Sequence, residues 1–481
     1  MDAATATDLH NELRSIVGEE GVITHPDELL AYECDGLTLV KATPSAVVFP
    51  RDTTEAAVVL RTLNRFGVPF VPRGAGTSLS AGTLPLGNAV QVCTSRMNRI
   101  LEIDLRNRQM RVQAGVVNQH VTNAVAAKGY FFAPDPSSQP ACAIGGNIAY
   151  NSGGPHTLKY GVTINHVLGV TLVTPEGEVI EAGGPAEDPI GYDLTGVIVG
   201  SEGTFGLVTE AILRLLPTPE AYRTLLAVFE SPNDAVNCVS DMIGEGIIPV
   251  ALEFMDQMIT RIVEDAHHFG LPRDAGAVLI IEIEGLEAGL DRQADRVVEM
   301  CRTHRALKVD RAATEEERTA LWMCRKRAFG ALGRLTPNYI TQDGVVSRTR
   351  LPEMLAYVAE VGHALGVRIA NVFHAGDGNI HPVLLYDERD PEQTRRALQA
   401  GGRILTRCIE LGGSPTGEHG IGVEKVHYLA RMFGSDDLAA MQRLRAVFDP
   451  QGRANPGKMF GGPEMPAIFS AMIGLQESPV R

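Results

Sequence analysis

Between residues 45 and 72 the apolar rhythm of the chain changes twice. A short apolar run at 46–49 gives way to apolar positions 56, 59, 60 and 63, the spacing of one helix face, and then to a second run at 68–71. That sequence of periods predicts strand, helix, strand. Asp52-Thr53-Thr54-Glu55 supplies capping side chains and Gly67 a stop, so 45–72 reads as one βαβ unit. An amphipathic helix is expected over 8–18, strands near 89–93, 110–114 and 167–173, and a helix over about 117–128 that stops at Gly129. Pro217-Thr218-Pro219 marks a domain boundary. Beyond it, runs at 224–229, 250–254 and 277–283 alternate with helical patterns over about 233–244, 256–268 and 287–304. Thr314 and Glu317 form a capping box for a helix reaching about 332, and the last long helix is expected over about 391–411.

Three stretches interrupt these elements with small residues. Pro72 to Gly82 places Gly74, Gly76, Thr77 and Ser78 after a strand, where backbone N–H groups and hydroxyls can converge on an anion. Leu79 stands where a dinucleotide fingerprint needs its third glycine, and no Gly-Lys-Ser/Thr follows. A plain glycine-rich turn is the alternative. Residues 144–154 carry Gly145, Gly146, Asn147, Asn151, Gly153 and Gly154, which suits a loop approached by an extended ligand or a long surface Ω-loop. Residues 200–208 form a third such loop. Three together within one α/β region favour a large phosphorylated cofactor.

His374-Ala375-Gly376-Asp377-Gly378-Asn379-Ile380-His381 lies between two apolar runs, a hairpin signal. With Asp377 and Gly378 as the turn, Gly376 faces Asn379, Ala375 faces Ile380 and His374 faces His381, with Cβ atoms roughly 5 Å apart. Two imidazoles so placed can hold a divalent metal; two polar residues flanking a surface turn is the other reading. Glu418-His419, in a glycine-rich loop at 412–422, would add a third ligand and an unligated imidazole, or is an exposed polar dipeptide. Arg325, Lys326 and Arg327 follow Trp322 on the helix after Thr314; such a cluster commonly forms a solvated face.

Composition narrows the classes. A chain of 481 residues predicts two or three domains. Lys plus Arg 43 against Asp plus Glu 58 gives a net charge of −15, which argues against nucleic acid and anionic membranes as partners. The seven cysteines are scattered without a CxxC pair, which suits reduced thiols and offers no cysteine-ligated zinc or iron–sulfur site. The N-terminus lacks a signal-peptide pattern and no uncharged apolar run reaches roughly 18 residues, so a cytoplasmic protein without direct membrane insertion is expected, associated with a membrane only through a partner.

The ordered motifs PRGAGTSLSAG (72–82), PDPSS (134–138), IGGNIAYNSGG (144–154), GSEGTFGLVTE (200–210), LWMCRKRAF (321–329), VFHAGDGNIHP (372–382), GEHGIG (417–422) and DPQGRANPGK (449–458) resemble one family. It is the FAD-linked 2-hydroxy-acid dehydrogenases of the vanillyl-alcohol-oxidase fold, which includes bacterial glycolate oxidase and FAD-linked D-lactate dehydrogenase. The resemblance implies an α+β chain: an N-terminal helical segment 1–35, an FAD domain of two subdomains of the p-cresol-methylhydroxylase (PCMH) type over 36–217, an α/β substrate-binding cap over 218–412, and a C-terminal segment 413–481 returning to the flavin. It implies cofactor contacts from Arg73, Gly74, Ala75, Gly76, Thr77, Ser78, Asp135, Ser138, Gly145, Asn147, Ala149, Gly153, Glu202, Gly203, Val208 and Asn455, with Lys458 near them. No histidine stands at Gly76-Thr77-Ser78 to tether the flavin, so FAD is expected to be noncovalent. By the same resemblance His374, His381 and Glu418 hold a divalent metal (zinc, manganese or iron), His419 is the base and Arg325 clamps the substrate carboxylate. Some relatives carry a lysine near 339–344; here Thr341-Gln342-Asp343 stand there, which favours a small monocarboxylate. Ser347 takes a place that is often proline. The family implies glycolate or D-lactate as substrate and companion flavin and iron–sulfur subunits as partners. A metal-dependent hydrolase built on His374, His381 and Glu418, or a flavin-binding subunit without catalysis, are the readings from other classes.

Overall fold

The helix expected after Asp52 runs Thr53–Arg65 in the computed structural model, which describes residues 3–186 and 191–460; the expected C-terminal segment beyond 460 lies outside the described residues. The Asp52 carboxylate accepts the Glu55 amide at 3.0 Å, and Gly67 ends the turn with φ 71°. Ala56, Val59, Leu60 and Leu63 form its buried face against Leu9 and Leu13 of the helix Ala3–Val17. The strands on either side of the helix, Ala46–Val48 and Phe70–Arg73, are parallel but do not neighbour each other. Val90–Cys93, buried at every position, lies between them and pairs with both, so the simple βαβ reading is corrected to an interleaved one. As an inner strand it has both of its edges paired, and its faces are covered.

A second, antiparallel sheet follows in the order Ile100–Asp104, Gln109–Gln113, Leu207–Arg214, Val167–Val173, Val179–Gly183. The glycine-rich stretch after 143 is not wholly a loop: Ile144–Tyr150 is helical and ends at Asn151 with φ 51°. Ile144 and Ile148, one turn apart, bury in this sheet's core, and that burial outweighs the poor helix propensity of Gly145 and Gly146. These elements belong to one compact unit, made of Met1–Ser152, Val162–Thr218 and the segment from Glu418. Within it the C-terminal segment returns to Phe70, whose carbonyl accepts the Asn455 amide at 2.8 Å.

The second unit comprises Gly153–Gly161 and Pro219–Gly417. Its antiparallel sheet runs Lys308–Arg311, Ala221–Phe229, Ala277–Gly285, Ala251–Asp256, Arg368–His374, with Pro382–Tyr386 and the short strand Asn379–Ile380 both pairing to the last. Asp256 caps the helix Gln257–His267 and Asp390 caps Pro391–Glu410, each accepting amides of the first turn. The helix begun at Thr314 stops at Lys326 and restarts as Ala328–Leu332, so its expected single run to 332 is broken at Arg327. Among the described residues, no helix is long and apolar enough to cross a membrane.

Candidate functional site

In the first unit the three glycine-rich stretches converge on one narrow cleft. Of the residues singled out in the sequence, Arg73, Gly74, Gly145, Ala149, Glu202, Gly203, Val208 and Asn455 line it. A Cβ on Gly146 would meet nothing within 4 Å, whereas one on Gly145 would stand 2.9 Å from the Ala114 methyl. Gly146 therefore keeps the cleft open, and Gly145 lets the helix pack. Asn455 is buried; its amide group donates to the carbonyls of Gly82 (3.1 Å) and Glu202 (2.6 Å), and its Oδ1 has no hydrogen-bond partner.

Other expected contacts are placed elsewhere. Ala75, Gly76, Thr77, Ser78, Asp135, Ser138 and Asn147 do not line the cleft, and Gly153 belongs to the second unit. Asn147 accepts from Asn118 Nδ2 at 2.9 Å, and Ser78 donates to the Tyr150 hydroxyl at 2.9 Å, so both brace neighbouring chain. Arg73 spends its Nη1 on the Cys34 carbonyl (3.0 Å) and Thr83 (3.2 Å). Sequence reasoning missed Asp35, a buried carboxylate that accepts the Leu37 amide at 2.9 Å and the Thr83 amide at 3.4 Å. Burial pushes its carboxyl up to about 6 despite those bonds and the nearby charge of Arg73. Burial likewise draws the Lys458 ammonium down to about 7.

The segment after Glu418 is fastened to the same loops. Ser80 Oγ donates to the His419 carbonyl (3.0 Å), and the Glu202 carboxylate accepts the amides of Ile421 (2.6 Å) and Gly422 (2.8 Å). Gly420, with φ 82°, packs against the Tyr150 ring where a side chain would collide. The backbone that carries His419 is thus held by residues from all three glycine-rich stretches.

In the second unit the hairpin differs from its expected register. His374 pairs with Asn379, not His381, and Asn371 pairs with Pro382. The loop is Ala375–Gly378, four residues rather than two, with Gly378 at φ 78° and the Asn379 amide bonded to Asp377 Oδ1 at 3.1 Å. Asp377 prefers this local side-chain turn over a two-residue one. The slip is an even number of residues, so His374 and His381 stay on one face as diagonal neighbours, with ring centroids 5.2 Å apart at 89°. Each ring is oriented through Nδ1, His374 by Glu253 Oε1 at 2.6 Å and His381 by the Gln342 carbonyl at 3.2 Å.

Arg325 does not lie on a solvated face. It is 3% exposed, and its Nε donates to Glu253 Oε2 at 2.6 Å, while Lys326 and Arg327 point outward. Its Nη2 is buried without a hydrogen-bond partner. Burial works against the Glu253 charge, yet His374 and Arg325 hold its carboxyl down at about 2. A polar residue amid the apolar strand Ala251–Asp256 was the available sign of Glu253. Asp343, also buried, accepts from Thr416 Oγ1 (2.6 Å) and the Gly417 amide (2.9 Å), which fixes the chain just before Glu418.

Residues 44–183 match the family model described as FAD binding domain, and 218–459 match FAD linked oxidases, C-terminal domain. The chain is 44% identical over 451 residues to the glycolate oxidase subunit GlcD of Escherichia coli (strain K12), covering 94% of this chain and 90% of that one. It is 42% identical to the Bacillus subtilis (strain 168) protein of the same name, covering 94% and 97%, and 30% identical to a D-lactate dehydrogenase of Anaerostipes hadrus, covering 93% and 94%. Among solved structures, 4-ethylphenol oxidase from Gulosibacter chungangensis superimposes with a TM-score of 0.78 at 18% identity, covering 96% of this chain and 98% of that one. A p-cresol methylhydroxylase does so at 0.77 and 15%, with the same coverage. These two likenesses establish the PCMH-type FAD fold.

Proposed function

Because the chain belongs to the FAD-linked glycolate oxidase and D-lactate dehydrogenase family, we propose that it oxidises a small 2-hydroxy acid, glycolate ahead of D-lactate, to the 2-oxo acid. The preference follows the relatives: those named for glycolate are the more similar. FAD, when bound, supplies the two-electron acceptor that takes the α-hydrogen as hydride at N5. The open face at Gly146 and the unpartnered Oδ1 of Asn455 fit a cofactor in the first unit's cleft.

Arg325 carries the substrate reading. A buried guanidinium anchored through Nε, with Nη2 unpartnered, calls for an anion, and a carboxylate matches its fork. Asp343 and the absence of lysine at 339–344 disfavour a second substrate carboxylate, which supports a monocarboxylate. His374, His381 and Glu418 would hold the divalent metal. An ionised carboxylate and a carbonyl can only accept, so both rings carry the proton on Nδ1 and turn Nε2 into the ligand atom. Two imidazoles and a carboxylate suit zinc, manganese or iron, and such an ion would supply Lewis acidity to the α-hydroxyl. His419 takes the hydroxyl proton as general base. Companion flavin and iron–sulfur subunits on the cytoplasmic side of a membrane would take the electrons onward, the scattered cysteines of this chain offering no CxxC ligand pair for a cluster.

The test is anaerobic addition of 2-hydroxy acids, both enantiomers where they exist, to the purified yellow protein. Glycolate should bleach the visible flavin absorbance fastest and D-lactate more slowly. A flavin that no 2-hydroxy acid bleaches would overturn the reading.

A further inference from the structure

Two glutamates of the second unit's sheet, Glu253 and Glu282, are fully buried, and both reach the helix Glu315–Lys326. Glu282 saturates its partners. It accepts Arg318 Nε at 2.8 Å and Nη2 at 2.9 Å, Trp322 Nε1 at 2.9 Å, and the Thr224 hydroxyl. That is a structural clamp one and two turns before Arg325. Glu253 is arranged differently. It takes only Nε of Arg325, so the guanidinium keeps an edge for another ligand, and its second oxygen goes to Nδ1 of His374.

We propose that Glu253 is a positioning residue that orients His374 and Arg325 together, so that metal binding and substrate-carboxylate binding depend on one side chain. The proposal rests on the roles given above to those two residues. A carboxylate with one oxygen on each partner fixes His374 as the Nδ1–H tautomer and fixes the plane of the guanidinium. A side chain that can serve only one of them leaves the other partner without its orienting contact.

Glu253→Gln replaces one acceptor by a donor at nearly constant volume. It can accept from His374 or from Arg325 but not from both. In the full-length holoprotein its affinity for cobalt(II), read by absorbance titration, should fall by roughly 10–100-fold. Its affinity for acetate, a monocarboxylate, read by perturbation of the flavin spectrum, should fall about tenfold. Flavin content should stay the same. Glu253→Asp keeps the charge but is one methylene shorter, so it should rescue one of the two affinities and not the other. His374→Ala serves as the control. If His374→Ala still binds cobalt, the metal reading itself fails. If His374→Ala loses cobalt while Glu253→Gln keeps both affinities, the positioning role is overturned and the metal reading stands. Should the Glu253 variants not accumulate folded, nitrogen-15 spectra of histidine-labelled wild-type protein decide it. His374 must then carry its proton on Nδ1 in the metal-free state, and finding it on Nε2 overturns the proposal.

Discussion

Glu202 in the first unit is held by two backbone amides, whereas Glu253 in the second is held by an imidazole and a guanidinium. Both are buried, so both carry the desolvation cost of a charge. Burial wins at Glu202, whose carboxyl is pushed up in spite of the two amide bonds and the charges of Lys425 and Lys458. At Glu253 the two side-chain partners win. The contrast extends to the surroundings. The first unit surrounds its cleft with many glycines and holds the backbone of its His419 segment through Ser80 and Glu202, and the second makes its site from ionic side chains carried on strands and a helix. Fixed dipoles shape a surface for a large ligand, whereas charged side chains select a small one by chemistry.

The largest test of that division concerns His419, the reactive side chain assigned to a backbone-built segment. His419→Ala should lower kcat by roughly two to four decades, the usual effect of removing a general base, while the flavin spectrum remains. Steady-state turnover of the yellow variant measures it. Turnover near wild type would leave the first unit with cofactor binding alone and place the base among the second unit's side chains.

A smaller effect separates the two kinds of buried anion directly. Asp35, like Glu202, is held mainly by amides, and its folded carboxyl stands at about 6 against an ordinary value of 3.8. A folded value above the unfolded one means that the native state holds the proton more tightly. The stabilising contribution is then fully present below pH 3.8 and is lost as the pH rises through 6. Urea unfolding of wild type and Asp35→Asn should therefore show a difference that moves against the wild type by up to about 3 kcal/mol across that window. A pH-independent difference would place Asp35 with Glu253, as an anion held by cations such as Arg73 and Lys458.

The same contrast explains what could be read from the sequence. Backbone-built features announce themselves locally: Asp52, Gly67, the three glycine-rich stretches and the 374–381 hairpin all carry short-range signals. The hairpin register lies two residues from the one its Asp-Gly pair signals because Asp377 bonds to the Asn379 amide, but an even slip keeps His374 and His381 on one face. The helix Ile144–Tyr150 was hidden because tertiary burial of Ile144 and Ile148 overrides the weak propensity of two glycines. Arg325 looked solvated because its partner, Glu253, is 72 residues away in sequence. Nothing local separates a glutamate that bridges two functional residues from one such as Glu282 that clamps a helix; only the fold brings their partners to them.

The finest test sits in two adjacent glycines. Gly145 and Gly146 both lie in the first turn of a helix, where alanine is favoured over glycine by at most the interior value of about 0.5–1 kcal/mol. At Gly145 that gain is overridden, because the new methyl would stand 2.9 Å from the Ala114 methyl; Gly145→Ala should destabilise apoprotein and holoprotein alike by about 1–3 kcal/mol. At Gly146 the methyl meets no protein atom within 4 Å, and the residue lines the cleft. Gly146→Ala should therefore raise the stability of the apoprotein by at most about 0.5–1 kcal/mol and weaken FAD binding, two effects of opposite sign from one methyl. Urea unfolding of the apoprotein and fluorescence titration with FAD measure them separately. A Gly146→Ala protein that is more stable and still binds FAD as wild type does would mean that the cofactor does not approach the backbone there. The first unit's site would then owe its affinity to side chains after all.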